Sequence, residues 1–262
     1  DELTMKNKKS TAAQDIFEKG VWYHSFEYKK IKSKGTFDYS KKIKELNLPD
    51  IKNKTVLDVG CSDGYFSYYF KNVLKAKKVL GVDFNKYDGT VNFDVLDNFK
   101  KEQLDKHRSH HDYEILKEAY SELGLSDSNK FNLIKKVFEL DIEYQQGSIY
   151  DLSNLQNFDV TFCGSLLEHL RDPITAIEQL YFKTNEFCII DVSNPFTRLN
   201  FLQMPLLKYG GASGHFYRLS ENAVKLIMER IGFKNIKIIS RYKIKNLKHN
   251  NMQSHFVVYG EK

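Results

Sequence analysis

Three histidines in this chain stand where a proton could be moved. His24 follows Trp22 and Tyr23, His169 follows Glu168, and His215 lies in the glycine-rich run GGASGHF. An imidazole titrates near neutrality, so each suits taking a proton from a hydroxyl or a cationic amine. His169 lies just beyond an apolar segment, Asp159–Phe162, that reads as a strand. The carboxyl end of such a strand is where an open α/β sheet presents residues to its ligand crevice. Glu168 beside it can orient a base or contact a substrate, while the same imidazole can instead hydrogen-bond the backbone around Pro173 and hold the loop. His107, His110 and His111 in KHRSHHD have no regular ligand spacing and sit among cations that repel a metal ion, so a solvated helix or lid is expected and no metal.

What is bound is written in Lys54–Phe66, KTVLDVGCSDGYF. Thr55–Val59 is apolar on both faces, as a central parallel strand must be, and carries Asp58 near its end. Gly60 permits a sharp turn, Gly64 sits where a helix packs on the strand, and apolar residues at 65, 66, 69, 70, 73 and 74 form a helical stripe. Strand, glycine turn and helix make a nucleotide cradle. The third glycine of GxGxxG is absent, so a pyrophosphate is not called for and an adenosine without a phosphate fits better. Asp83 closes a second strand, Val79–Val82, nineteen residues after Gly64, near where an acid accepts both ribose hydroxyls in this architecture.

The run LDVGCSDGYF with its later acid resembles the first motif of the class I S-adenosylmethionine methyltransferases. Two further stretches, WYH at Trp22–His24 and SLLEHLRDP at Ser165–Pro173, resemble a group of them related to the tRNA wobble-uridine carboxymethyl-transferring enzymes. The resemblance implies an α/β, Rossmann-like, seven-stranded sheet whose last strand lies between the fifth and sixth. It also implies a lead segment folded over the active site, with Tyr23 and His24 at the pocket. The cofactor, S-adenosyl-L-methionine, would then meet Tyr23, Asp58, Gly60, Cys61, Ser62, Gly64, Tyr65, Asp83 and Phe84. Ser148, Ile149, Gly164 and Ser165 would complete its site, Ser148 standing where the family commonly has Asp. Ubiquinone-pathway O-methyltransferases carry ExxEH at this place for a divalent ion, whereas this chain has Ser165 for the first acid. The carboxymethyl-transferring enzymes match at Lys34–Phe37, KGTF, whose lysine meets the extra carboxylate of their cofactor, but place a tyrosine where this chain has Glu168. A carboxylate there repels that group, so ordinary S-adenosylmethionine is expected.

These residues need a frame, and 262 residues suffice for one large α/β domain with additions. Residues 1–50 are expected as a lead segment and 51–262 as the methyltransferase domain, with a helical insertion after the second strand at about 98–130 and a substrate loop at about 194–218. Asn194–His215 lacks periodicity, Ser220 caps a helix ended by Gly232, and Phe233–Ser240 and His255–Tyr259 alternate as strands. Asp1–Gln14 is polar, unlike a signal peptide, and no stretch has the length of a membrane span. Three cysteines, an odd number on or beside core strands, point to reduced thiols and the cytosol. The formal charge of +6 divides unevenly: residues 1–54 carry 13 lysines against 8 acids, and residues 234–262 carry 7 basic residues against 1 acid. Such ends keep a protein soluble or meet a nucleic acid. The expected activity is methyl transfer to an O or N of a small polar metabolite such as a nucleotide-linked sugar. The alternative is methyl or carboxymethyl transfer to a wobble uridine of tRNA.

Overall fold

The computed structural model describes residues 17, 22–28, 31–84, 127–193, 196, 204–212 and 215–262. Strand β5 (Thr55–Val59) is central, and its side chains alternate between two buried layers, Val56 joining one and Leu57 and Val59 the other. Such a strand has no solvent face, which is why the segment reads as an unbroken apolar run. β6 (Lys78–Asp83), β7 (Glu143–Gln146), β8 (Phe158–Gly164) and β9 (Thr184–Ser193) run parallel with it in the order β7-β6-β5-β8-β9. Past β9 the sheet turns antiparallel: β13 (Asn251–Glu261) lies between β9 and β12 (Lys234–Asn246).

Among the described residues the sheet has nine strands rather than seven. β1 (Trp22–His24) and β4 (Gly35–Phe37) of the lead segment pair in parallel, joined through the short hairpin of β2 (Glu27–Tyr28) and β3 (Ile31–Lys32). β4 meets β12 with Phe37 opposite Asn246, covering an edge that would otherwise expose unpaired backbone groups. The lead aromatics supply the driving force. Phe17 and Trp22 pack tilted with ring centroids 4.7 Å apart, Trp22 and Phe26 edge-to-face at 5.3 Å, and Trp22 Nε1 donates to the Phe17 carbonyl at 2.7 Å, all in the same core as the central strands. Gly35 is obligatory in this pairing, because a Cβ there would run into the backbone carbonyl of His24.

The expected helix over 65–74 is one α turn, α1 (Tyr65–Tyr68), continued by a π turn over Tyr69–Val73. Its aromatic stripe still faces inward, with Tyr65, Phe66, Tyr68 and Phe70 buried. α2 (Asp127–Val137) packs on the same layer through Phe131 and Ile134. α3 (Pro173–Lys183) starts at Asp172, whose carboxylate accepts from the Ile174 and Thr175 N–H groups. α4 (Glu221–Ile231) runs from the Ser220 cap to Gly232. The region expected as a structureless substrate loop contains a hairpin, β10 (Leu207–Ala212) with β11 (His215–Leu219). Its glycines interrupt the alternation in sequence, while the cross-strand pair Tyr209–Tyr217, ring centroids 6.1 Å apart, fixes it in space. The insertion with His107, His110 and His111 and the side chain of His215 lie outside the described residues. Among the described residues, no helix is long and apolar enough to cross a membrane. Cys61, Cys163 and Cys188 are buried, and none is in a disulfide.

Candidate active site

The carboxyl ends of β5, β6, β7 and β8 open on a cavity of about 570 Å³, a size that suits a small-molecule ligand. Its floor is the turn after β5. Gly60, at φ 78°, donates its N–H to the Val82 carbonyl at 2.8 Å, and a Cβ there would come within 2.8 Å of the Leu166 side chain. Only glycine keeps that turn open. The Ser62 N–H donates to Asp83 Oδ2 at 2.7 Å, which holds the carboxylate at the rim where β6 ends. Beyond it lie Phe84, 60% exposed, and Ser148 and Ile149 after β7. The opposite wall is Phe66, Phe162, Gly164 and Ser165. A nucleoside with a short polar tail matches this donor set: a carboxylate for hydroxyls, an apolar side chain and an exposed ring for a base, and a bare backbone turn between them.

The third side comes from the lead segment, where Tyr23, His24 and Tyr39 line the cavity. Asp63, fully buried, clamps this strand down: its Oδ2 accepts from the Tyr23 and His24 N–H groups at 3.1 and 2.8 Å, and its Oδ1 lies 2.7 Å from His24 Nδ1. A carboxylate only accepts, so the ring proton sits on Nδ1 and Nε2 is left as the basic nitrogen. Burial works against the Asp63 charge, but His24 and these hydrogen bonds outweigh it and hold the acid below its ordinary range. Tyr23 is 40% exposed as a whole, yet its hydroxyl is enclosed. That burial, followed by the charges of Glu168, Asp63 and Asp191, pushes the phenol up and keeps it protonated.

The structure gathers most of the residues singled out in sequence. Tyr23, Gly60, Cys61, Ser62, Asp83, Phe84, Ser148, Ile149, Gly164 and Ser165 line the cavity, with His24 and His169. Four others stand off it, each for a packing reason. Asp58 points to the opposite layer and accepts from Ser67 Oγ at 2.6 Å. Gly64 lies under α2, where a Cβ would meet Phe131 and Ile134 at 2.7 Å. Tyr65 is buried against the His24 ring, centroids 5.0 Å apart. Glu168 is buried behind the wall, with Oε1 3.4 Å from the Ser193 N–H. Sequence reasoning missed Tyr39, Phe66 and the buried Lys130, and also Arg171, whose guanidinium lies 5.3 Å from the Phe216 ring at the cavity mouth. Of these, Phe66 was within reach, since it stands next to the helix start in the glycine-turn motif.

Asp58 has a consequence for stability. Burial first, and then the Asp83 charge, push its carboxyl up to about 7 against the Ser67 hydrogen bonds. A folded value above the unfolded one means that the native state binds the extra proton, so stability falls as pH rises between the two. Relative to Asp58→Asn, the wild type is expected to lose about 1 kcal/mol of unfolding free energy between about pH 6 and pH 7.5. Urea titrations at both pH values check this, and parallel curves for the two proteins would refute it.

A parallel sheet with β5 at the strand reversal, β13 inserted between β9 and β12, and a cavity at the glycine turn define a class I S-adenosylmethionine-dependent methyltransferase. The methyltransferase-domain family matches residues 33–238, and the chain belongs to it. Among sequence relatives, the tRNA U34 carboxymethyltransferase of Helicobacter pylori (strain Shi470) is 27% identical over 243 residues, covering 90% of this chain and 78% of that one. That of Campylobacter fetus subsp. fetus (strain 82-40) is 24% identical over 215 residues, covering 81% and 61%. Among solved structures, the N-terminal domain of EvdMO1 in the presence of SAH and D-fucose has a TM-score of 0.60 at 14% identity, covering 98% of this chain and 96% of that one. The last likeness concerns the fold.

Proposed function

We propose that this protein transfers a methyl group to an oxygen or nitrogen of a small polar metabolite such as a nucleotide-linked sugar. The observation that carries this reading is the lead segment's place in the site: Tyr23, His24 and Tyr39 line a cavity of about 570 Å³ together with the carboxyl ends of the strands, and that volume suits small molecules. S-adenosylmethionine, when bound, supplies an electrophilic methyl on a sulfonium. The chain's own residues would do the rest. Asp83 accepts hydrogen bonds from ribose hydroxyls, and Ser148 and Ile149 hold the base. The Gly60–Ser62 turn with Gly164 meets the amino-acid end. The lead segment keeps water from the acceptor, and His169 takes its proton.

Asp83→Ala is expected to weaken S-adenosylhomocysteine binding by about 1.5–3 kcal/mol, the scale of hydrogen bonds to a charged acceptor. Calorimetry measures it, and unchanged affinity would remove Asp83 from the cofactor site.

A second reading, modification of a tRNA wobble uridine, is favoured by the sequence relatives. One observation speaks for an ordinary methyl donor on either reading: Lys34 of KGTF is exposed and does not line the cavity. Glu168 stands off the cavity, so the direct repulsion expected from it is not part of that argument. Incubation with methyl-labelled S-adenosylmethionine and either bulk tRNA or the low-molecular-weight fraction of a cell extract separates the readings. Label in the small-molecule fraction supports the first, and label confined to tRNA replaces it with the second.

A further inference from the structure

Behind the cavity wall lies a buried polar cluster that no step above uses. Asp191, at the end of β9, is fully buried, and His255 and Glu168 beside it are almost so. Tyr242 donates its hydroxyl to Asp191 Oδ2 at 2.9 Å, and Ser165 Oγ donates to the same oxygen at 3.3 Å. Asp191 Oδ1 stands 3.4 Å from His255 Nδ1, at ion-pair distance but out of line for a hydrogen bond. The His255 ring stacks on Tyr242 at 5.1 Å. Burial lowers the imidazole's proton affinity, yet Asp191 and then Glu168 raise it overall. Glu168 Oε2 has no hydrogen-bond partner among the described residues.

The carboxylate fixes the direction of every hydroxyl in contact with it. Tyr242 has one proton and gives it to Asp191. Its oxygen, 3.3 Å from the Tyr39 hydroxyl, must therefore accept from Tyr39. Tyr39 and Ser165 both line the cavity, and both have their protons drawn away from it. They can offer the cavity only lone pairs.

We infer that this wall, Tyr39 and Ser165 backed by Tyr242 and Asp191, is an acceptor-substrate subsite that binds a hydrogen-bond donor. It selects a hydroxyl or amine of the substrate other than the group methylated, and rejects ethers and carbonyls at that position. The inference rests on the methyltransferase reading only in taking the acceptor to lie here. The chemistry it names is that of a polyhydroxylated or amino-bearing metabolite. Tyr39 and Ser165 would touch the substrate, while Tyr242 and Asp191 act through them as positioning residues.

The test uses phenol and anisole, which share a ring and an acceptor oxygen but differ in carrying a proton, titrated against the S-adenosylhomocysteine-loaded protein by ligand-observed NMR. Wild type is expected to bind phenol at least about tenfold more tightly than anisole, because a donor-less oxygen leaves the wall's lone pairs unpaired. Tyr242→Phe keeps the ring stack and frees the Tyr39 hydroxyl to rotate and donate, so the preference should fall to about two- to threefold. A role for Tyr242 in packing alone would shift the thermal midpoint and leave the preference intact. Equal binding of the probes to wild type, binding of neither, or an unchanged preference in Tyr242→Phe overturns the subsite. Failure of wild type to bind S-adenosylhomocysteine would instead overturn the methyltransferase reading itself.

Discussion

Asp63→Ala is expected to destabilise the protein by about 3–5 kcal/mol, the cost of leaving one partner of a buried pair uncompensated. Asp63 has no solvent exposure and accepts from the Tyr23, His24 and Tyr65 N–H groups and the His24 imidazole. Alanine leaves these four donors without their acceptor, and each such orphan costs free energy by itself. The damage is directional, because three of the four donors belong to β1. β1 should leave its place against the glycine turn, carrying Tyr23 and His24 out of the cavity. The acid's native pKa lies below its unfolded value, so its contribution is present above the unfolded pKa, near 3.8, and is lost as pH falls through the native one. Urea denaturation measures the loss, and limited proteolysis at the β2–β3 hairpin reports the release. His24→Ala separates the terms, since it removes the imidazole and leaves the three backbone bonds. A deficit under about 1 kcal/mol in Asp63→Ala would mean that β1 is held by its aromatic contacts alone.

The site was legible in sequence where it is built from neighbours in the chain. Gly60, Ser62 and Asp83 meet because a strand, a tight turn and the next parallel strand bring them together, and the glycine spacing carries that geometry. The cap at Ser220 was legible for the same reason: its hydrogen bond reaches only three residues. Asp58 and Gly64 misled for a related reason. They sit inside the same motif, but a strand alternates its faces and a helix start needs close packing, so their roles are internal to the layer beneath. Tyr242 and His255 had no local signal at all. They face each other through the β12–β13 register, and His255 meets Ser193 through the β13–β9 register, pairings set by residues far apart in the chain. Asp191 could have been found, since it is a third acid near the carboxyl end of a core strand, after Asp58 and Asp83. The lead segment's joining of the sheet followed from its aromatics only once β12 was seen to extend to Asn246 and leave an edge to cover.

His169→Ala is expected to lower the turnover number by at least about 10²-fold, within the 10²- to 10⁴-fold that a positioned general base contributes. His169 ends the short 3₁₀ turn Leu167–His169, its N–H donating to the Leu166 carbonyl at 2.9 Å, and it lines the cavity mouth. That backbone bond does not involve the imidazole and survives the substitution. Affinity for S-adenosylhomocysteine should stay within a factor of a few, because an interaction made only in the transition state affects turnover rather than cofactor binding. The thermal midpoint is measured alongside, since a loosened turn would also slow the reaction. His169→Asn separates the two causes: asparagine can hydrogen-bond the turn but cannot take a proton at neutral pH. Lost turnover with a normal midpoint in the asparagine variant assigns the proton transfer to His169. Near-normal turnover there moves the assignment to His24, whose Nδ1 is committed to Asp63 and whose Nε2 is then the basic nitrogen on the opposite side of the same cavity.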